Sequence, residues 1–172
     1  MSNIELQVLA DLASQHSKIL EIGSYLGRST RAMADHTSGF VIACDNFKGP
    51  VDIVLTWKER AEIYEKFLAN MGEHIQSGKV LPWKIDHRDM AEHISEAPKP
   101  PKYDMVFIDG SHKHEDISRD IQFASSVLEA GGLMCGHDYD LATPGVAMAV
   151  NQLLPGFTVV PESRIWCKTI ES

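Results

Sequence analysis

The chain alternates short apolar runs with amphipathic runs along almost its whole length, and this alternation limits the possible folds more than any other feature. The apolar runs, such as FVIACDNF at 40–47 and YDMVFIDG at 103–110, are typical of strands buried on both faces of a parallel sheet. The amphipathic runs that follow them have apolar residues at helical spacing. Repeated strand–helix units therefore predict an α/β fold, a Rossmann-like doubly wound sheet of mostly parallel strands with helices on both faces.

Seven strands and six helices are predicted. The strands cover 18–23, 40–47, 79–86, 103–110, 132–139, 157–163 and 164–170, and the helices cover 4–14, 28–36, 56–71, 89–96, 114–130 and 144–154. Gly72 is expected to close the third helix and the Gly131–Gly132 pair the fifth, whereas Pro144 begins the last. Pro82 cannot donate to a ladder, so its strand belongs near an edge of the sheet. The last two strands are joined by a short turn, so one strand must run antiparallel.

Composition and charge argue against nucleic-acid and membrane partners and indicate a reducing compartment. The 172-residue chain carries a formal net charge of −8, which argues against the basic surface that general nucleic-acid binding requires. No apolar run approaches the roughly 20 residues needed to cross a bilayer, and the first residues lack the pattern of a signal peptide. Cys44, Cys135 and Cys167 lie in apolar runs, which is typical of reduced, buried thiols. We predict a cytoplasmic protein with one domain over 1–172, a loop at 97–102, and no nucleic-acid or membrane partner.

Polar residues stand where several predicted strands end. Ligands of an open parallel sheet bind beyond these carboxyl ends, so the strand-end residues should form the site. The residues in such positions are Glu21, Gly23, Asp45, Asp86 or Asp89, Asp109, His137 and Asp138.

The run KILEIGSYLGRST at 18–30 indicates which ligand this edge receives. A dinucleotide fingerprint is G-x-G-x-x-G, whereas the two glycines here are four residues apart and the residues between them fill the space that a pyrophosphate needs. This spacing argues against an NAD(P)-dependent dehydrogenase. Glu21 suits a ligand with a positive charge, and Asp45 at the end of the next strand can accept both hydroxyls of a ribose. A positive group joined to a ribose describes S-adenosylmethionine.

With these motifs the chain resembles the class I S-adenosylmethionine-dependent methyltransferases over roughly residues 15–140. LEIGSYLGRST is similar to their first motif in its E-x-G-x-x-x-G form, and VIACDNF to the motif that binds the ribose. YDMVFIDGSHKHEDISRDI followed by LEAGGLMCGHDY resembles methyltransferase domain family 24, the group of macrocin-type sugar O-methyltransferases and cephalosporin hydroxylase-like proteins.

The resemblance implies a set of cofactor-binding residues around the three parts of S-adenosylmethionine. The first four would surround its methionine portion, the fifth would hold the ribose, and the last two would flank the adenine. These residues are Glu21, Gly23, Ser24, Tyr25, Asp45, Asn46 and Asp89. The last of them stands where the family has a G-D-S-like stretch, whose glycine and serine are missing here.

The resemblance also implies catalytic and metal-binding residues at the ends of the fourth and fifth strands. In metal-dependent relatives an acid and a following pair bind Mg²⁺, which places a metal at Asp109, His137 and Asp138. A histidine ligand hints at Mn²⁺ or another transition metal instead. Asp109 would thus act in catalysis through the ion, and His112 is our candidate general base because an imidazole ordinarily has a pKa near working pH.

Each of these residues also has a purely structural interpretation. The glycines of the first turn could serve close helix–strand packing, and Asp45 could cap the next segment. Asp109 could be a turn residue without a metal. His137 and Asp138 could form a structural pair, and His112 could be a solvated residue at a helix start.

The predicted activity is O-methylation of a small hydroxylated, sugar-like metabolite, with or without a divalent metal. Little sequence is left to cover the acceptor, so the site would take a large or carrier-bound substrate, or a second subunit of a homo-oligomer would close it. The alternative is a non-methylating relative that binds S-adenosylmethionine, or a hydroxylase-like relative of the same fold.

Overall fold

The computed structural model describes residues 1–49, 54–95 and 101–171. Within these ranges seven strands form one sheet in the order β3-β2-β1-β4-β5-β7-β6. The strands are β1 Lys18–Ile22, β2 Phe40–Asp45, β3 Val80–Lys84, β4 Tyr103–Ile108, β5 Leu128–Gly136, β6 Thr158–Val159 and β7 Trp166–Thr169. Strand β7 pairs antiparallel with both β5 and β6, and the remaining pairs are parallel. The predicted mostly parallel sheet with one antiparallel strand is confirmed.

The helices pack on both faces of this sheet, as predicted. They are α1 Asn3–Ala13, α2 Arg28–His36, α3 Trp57–Ala61, α4 Ile63–Asn70, α5 Gly72–Gln76, α6 Met90–Ser95, α7 His114–Val127 and α8 Pro144–Leu153, with a 3₁₀ turn at His87–Asp89. Alternate residues of β4 enter two separate apolar clusters, because successive side chains of a strand point to opposite faces. Val106 packs with residues of α7 and α8, whereas Phe107 packs with residues of α1, α2 and α4.

Several predicted element boundaries are wrong. The helix predicted at 56–71 is divided into α3 and α4, and Gly72 begins α5 instead of ending a helix. The strand predicted at 157–163 is shorter, Thr158–Val159. The helix predicted at 114–130 ends at Val127, because Leu128 is extended and pairs with Tyr103 of β4. Pairing in the sheet overrides the helical periodicity there, so Gly131 and Gly132 lie within β5 instead of closing the helix.

Two predictions about prolines are confirmed in the part that the structure describes. Strand β3, which contains Pro82, is an outer strand of the sheet, and Pro144 is the first residue of α8. All three cysteines are free, and Cys44 and Cys135 are buried as predicted, whereas Cys167 is only half-buried. Over 1–49, 54–95 and 101–171, no helix combines the length and the apolar character that crossing a membrane requires. Most of the loop predicted at 97–102 lies outside the described residues.

Candidate functional site

A cavity of about 580 Å³ lies beyond the carboxyl ends of β1, β2, β3 and β4. Its walls are the loops that follow these strands, together with the first residue of the chain. This is the edge at which open α/β sheets bind ligands, and the volume is in the range of small-molecule sites. The predicted site residues that line it are Gly23, Ser24, Tyr25, Asp45, Asn46, Asp109 and His112.

The turn after β1 is held tightly against the neighbouring strand end. Gly23 has φ +95°, and a Cβ built on it would lie 2.3 Å from the backbone oxygen of Asp109. Its N–H donates to the carbonyl of Cys44 at 2.8 Å. Glycine is therefore required here both by the backbone conformation and by the close approach of β4. This packing brings the turn and Asp109 to one wall of the cavity.

Asp45 is fixed at the end of β2 by two backbone donors. Its Oδ2 accepts the N–H of Tyr25 at 2.8 Å, and its Oδ1 accepts the N–H of Phe47 at 2.6 Å. Burial raises the pKa of this carboxyl, although these hydrogen bonds act against the shift. A carboxylate held in this way lines the cavity with its orientation fixed, so the capping role and the ribose-binding role are compatible. Asn46 beside it also lines the cavity.

Two predicted cofactor residues, Glu21 and Asp89, are not among those that line the cavity. Glu21 is fully buried and accepts hydrogen bonds from the hydroxyls of Ser29, at 2.5 Å, and Thr30, which ties β1 to the start of α2. Burial raises its pKa to about 7. At the third strand the cavity is lined by Asp86 and the two residues after it instead of Asp89.

A histidine–aspartate pair that the sequence analysis did not identify stands at this part of the cavity. Nδ1 of His87 lies 2.7 Å from Oδ1 of Asp120, a residue of α7 whose side chain is almost wholly buried. The hydrogen bond that His87 donates to Asp120 raises the pKa of His87. His87 follows the predicted strand-end residue Asp86, and that position is the sequence signal that could have indicated it.

The predicted acid–histidine cluster is present at the ends of β4 and β5. Nδ1 of His137 lies 3.1 Å from Oδ1 of Asp138 and 3.5 Å from Oδ1 of Asp109. Burial acts to lower the pKa of His137, but the two carboxylates outweigh it and raise the pKa to about 10. Burial raises the pKa of Asp109. For Asp138, burial also acts upward, but contacts with His112 and His137 hold the pKa well below its usual range.

The geometry of this cluster fits a small divalent ion. The three candidate ligand atoms lie within 4.8 Å of one another. An ion held by Asp109, His137 and Asp138 would take the place of the Nδ1 proton and would offset the charge of the two carboxylates. One imidazole and two carboxylates suit Mn²⁺ or another transition metal as well as Mg²⁺.

The candidate base His112 contacts the cluster at Asp138. Its Nε2 lies 2.8 Å from Oδ2 of Asp138, and its side chain is 40% exposed and lines the cavity. Arg164 approaches the other oxygen, with Nη1 2.8 Å from Oδ1 of Asp138. Asp138 therefore orients a histidine at the cavity while a cation balances its charge.

Glu5 and Arg164 take part in this cluster, and the sequence analysis did not identify either one. Glu5 of α1 is 4% exposed, and its Oε1 lies 3.0 Å from Nε2 of His137. Burial acts to raise the pKa of Glu5, but hydrogen bonds from Ser2 and contacts with His137 and Arg164 lower it to about 2. The S-x-x-E pattern of Ser2 and Glu5 is a capping-box signal, which predicts a helix start but not a contact with the site.

Comparison with known proteins identifies a family and structures of similar fold. A family model described as a methyltransferase domain matches residues 20–139. A search of curated proteins gives no match. Many solved structures are similar, among them TomG, an O-methyltransferase from Streptomyces achromogenes involved in tomaymycin synthesis and solved in complex with S-adenosylmethionine. It is 18% identical with a TM-score of 0.71, and the alignment covers 99% of this chain and 81% of that one.

Two further solved structures illustrate the range of these neighbours. An O-methyltransferase from Bacillus cereus, solved with S-adenosylhomocysteine, is 18% identical with a TM-score of 0.70, over 98% of this chain and 82% of that one. CalS11, a TDP-rhamnose 3′-O-methyltransferase of calicheamicin biosynthesis, is 14% identical with a TM-score of 0.68, over 96% and 77%. At these identities the likeness shows a shared fold.

Proposed function

The chain belongs to the methyltransferase domain family, and from that premise we propose that it transfers the methyl group of S-adenosylmethionine to a hydroxyl oxygen. The observation that carries the proposal is the composition of a single cavity. The Gly23 turn, Asp45, Asp109 and His112 all line it. A cofactor and an acceptor hydroxyl bound in this cavity would therefore contact one continuous set of residues.

The cofactor half of the proposal is supported by the turn after β1 and by Asp45. The turn lacks the glycine spacing of a dinucleotide fingerprint, and it lines the cavity with Ser24 and Tyr25. The fixed carboxylate of Asp45 suits the two hydroxyls of a ribose. TomG and the Bacillus cereus enzyme, which share the fold, are solved with S-adenosylmethionine and S-adenosylhomocysteine, respectively.

In the proposed reaction His112 removes the proton of the acceptor hydroxyl. Because its Nε2 faces the carboxylate of Asp138, the neutral ring carries its proton on Nε2 and its lone pair on Nδ1. Nδ1 takes the hydroxyl proton, the oxygen forms a bond to the methyl carbon, and the carbon–sulfur bond breaks with its electrons passing to sulfur. Asp138 stabilises the imidazolium that results.

A divalent ion held by Asp109, His137 and Asp138 would lower the pKa of the acceptor hydroxyl when bound. The acceptor we propose is a sugar-like metabolite, free or attached to a carrier. CalS11, a TDP-rhamnose 3′-O-methyltransferase with the same fold, supports this class. We also propose that a second copy of the chain covers the acceptor. The neighbours' own chains extend beyond the part that this chain matches.

Calorimetric titration tests the cofactor assignment. We expect wild type to bind S-adenosylhomocysteine in the micromolar range and Asp45→Ala to lose this binding, whereas Asp11→Ala, which removes an exposed carboxylate on α1, should bind like wild type. Absence of binding by wild type, with or without Mn²⁺, would refute the proposal. Binding without turnover of any hydroxylated acceptor would favour the non-methylating alternative.

The base is tested by the pH dependence of methyl transfer. His112→Asn should lower kcat by about 10²–10⁴-fold. It should also remove the acidic limb of the pH profile of kcat, because the side chain at this position then no longer has to be unprotonated to accept the hydroxyl proton. Its affinity for S-adenosylhomocysteine should change little. An acidic limb that persists in His112→Asn would assign the base to another residue.

A further inference from the structure

We propose that Glu5 is a positioning residue of the active site, which accepts the Nε2 proton of His137 and so turns Nδ1 of that ring toward Asp109 and Asp138. The inference rests on the proposed function of the site, because it assigns a role to the ring that faces the two acids. Glu5 touches neither the cavity nor the acids themselves. The role proposed here passes through His137, although Glu5 also contacts Arg164.

The two oxygens of Glu5 have different partners. Oε2 accepts the backbone N–H of Ser2 at 2.6 Å and completes the capping box at the start of α1. Oε1 is turned inward and lies 3.0 Å from Nε2 of His137 and 3.2 Å from the backbone N of Arg164. One oxygen would satisfy the helix cap, so the inward placement of the other needs a separate explanation.

The environment of Nε2 supports a proton held between this nitrogen and Glu5. Nε2 is buried, and no straight hydrogen bond reaches it from the residues that the structure describes. Oε1 of Glu5 lies within ion-pair distance of Nε2, but the N–H direction is not aligned with this oxygen. A buried ring nitrogen that faces a carboxylate at this distance favours the protonated state of that nitrogen, because an unprotonated one would repel the carboxylate.

The consequence for the site concerns the other nitrogen. With the Nε2 proton directed at Glu5, Nδ1 is the nitrogen that faces Oδ1 of Asp109 and Oδ1 of Asp138. Histidine ligands of metal ions commonly donate their second ring N–H to a carboxylate, which fixes the ring and raises its basicity. Glu5 occupies that outer position here, although it lies outside the matched family region of 20–139.

Glu5→Gln separates this role from the helix cap. Glutamine is accepted at the third helical position of a capping box, so the start of α1 should be retained. Ser2→Ala is the matched control, because it removes the capping hydroxyl and leaves the carboxylate. Glu5→Asp is a second variant, which keeps the charge but shortens the side chain. Thermal unfolding of all three variants establishes that they are folded.

The first readout is nuclear magnetic resonance of ¹⁵N-labelled histidine, with His137→Gln used to assign the ring. We expect a slowly exchanging Nε2–H of His137 in wild type and in Ser2→Ala, and its loss in Glu5→Gln and Glu5→Asp. The proposal is overturned if wild type has no such proton, if the proton persists without the Glu5 carboxylate, or if Ser2→Ala loses it equally.

The second readout is Mn²⁺ affinity measured in the absence of any acceptor. Loss of an outer carboxylate typically weakens metal binding by about 10–100-fold, so Glu5→Gln should show a decrease in this range and Ser2→Ala none. If Glu5→Gln and wild type bind Mn²⁺ equally well, Glu5 does not position His137 for metal binding. If wild type binds no Mn²⁺, the metal part of the proposed function fails, and the ring proton alone decides the role of Glu5.

Discussion

Replacing Gly23 by alanine should destabilise the protein and separate the two strand ends that form the cavity. At φ +95° a residue with a Cβ is strained by about 1–2 kcal/mol. The new Cβ would also lie 2.3 Å from the backbone oxygen of Asp109 and 2.7 Å from Cα of Gly110, atoms that cannot rotate away. Overpacking of this kind costs about 1–3 kcal/mol more, so the free energy of unfolding should fall by about 2–5 kcal/mol.

Urea denaturation measures this loss, and Gly78→Ala is the matched control. Gly78 also has a positive φ, +74°, but nothing lies within 4 Å of a Cβ built there. It should therefore lose only the conformational part, about 1–2 kcal/mol. If both variants lose the same free energy, the close approach of the first turn to β4 contributes nothing and our explanation of Gly23 is wrong. Weaker S-adenosylhomocysteine binding by Gly23→Ala alone would connect the approach to the site.

Three further predictions concern buried charge, the third strand and the metal. The pKa of Glu21 is raised to about 7, against an ordinary value of 4.5. Between these two pH values the folded state holds a proton that the unfolded state has released, so the free energy of unfolding falls as the pH rises from about 4.5 to 7. Relative to Glu21→Gln, wild type should lose up to about 3 kcal/mol over this range in urea denaturation, and parallel pH profiles would contradict it. Asp86→Ala should weaken S-adenosylhomocysteine binding more than Asp89→Ala in calorimetry, because only Asp86 lines the cavity; the reverse order would favour the sequence-based assignment. Chelation should lower methyl transfer and Mn²⁺ should restore it, whereas full activity after chelation would argue against metal assistance.

The fold could be predicted because its strongest signals are local. Apolar runs alternate with amphipathic ones, and each run is long enough to identify a strand or a helix from its period. The boundaries that failed depend on long-range pairing. Leu128 continues a helical pattern, yet it joins the sheet opposite Tyr103, and no feature of its own segment indicates that partner.

The site was predictable to the extent that parallel strands end at one edge. That rule alone places Asp109 and His137 together, although 28 positions separate them in the sequence. It does not say which way a side chain turns. Glu21 stands at a strand end like the others, but it faces the hydroxyls at the start of α2, where the first turn of the helix supplies its hydrogen bonds.

The residues that the strand-end rule could not identify come from both ends of the chain. Glu5 in α1 and Arg164 before β7 are 159 positions apart in sequence, yet they meet at the end of β5, where Arg164 balances the charge of Asp138. A cluster of buried carboxylates requires such partners, because an unpaired buried charge is costly. Both partners lie outside residues 20–139, so the family region supplies the acids of the cluster while the flanking segments supply the groups that orient and neutralise them. If the proposed function is correct, substitution of Glu5 or Arg164 should therefore alter metal affinity and proton transfer without changing any residue of the 20–139 region.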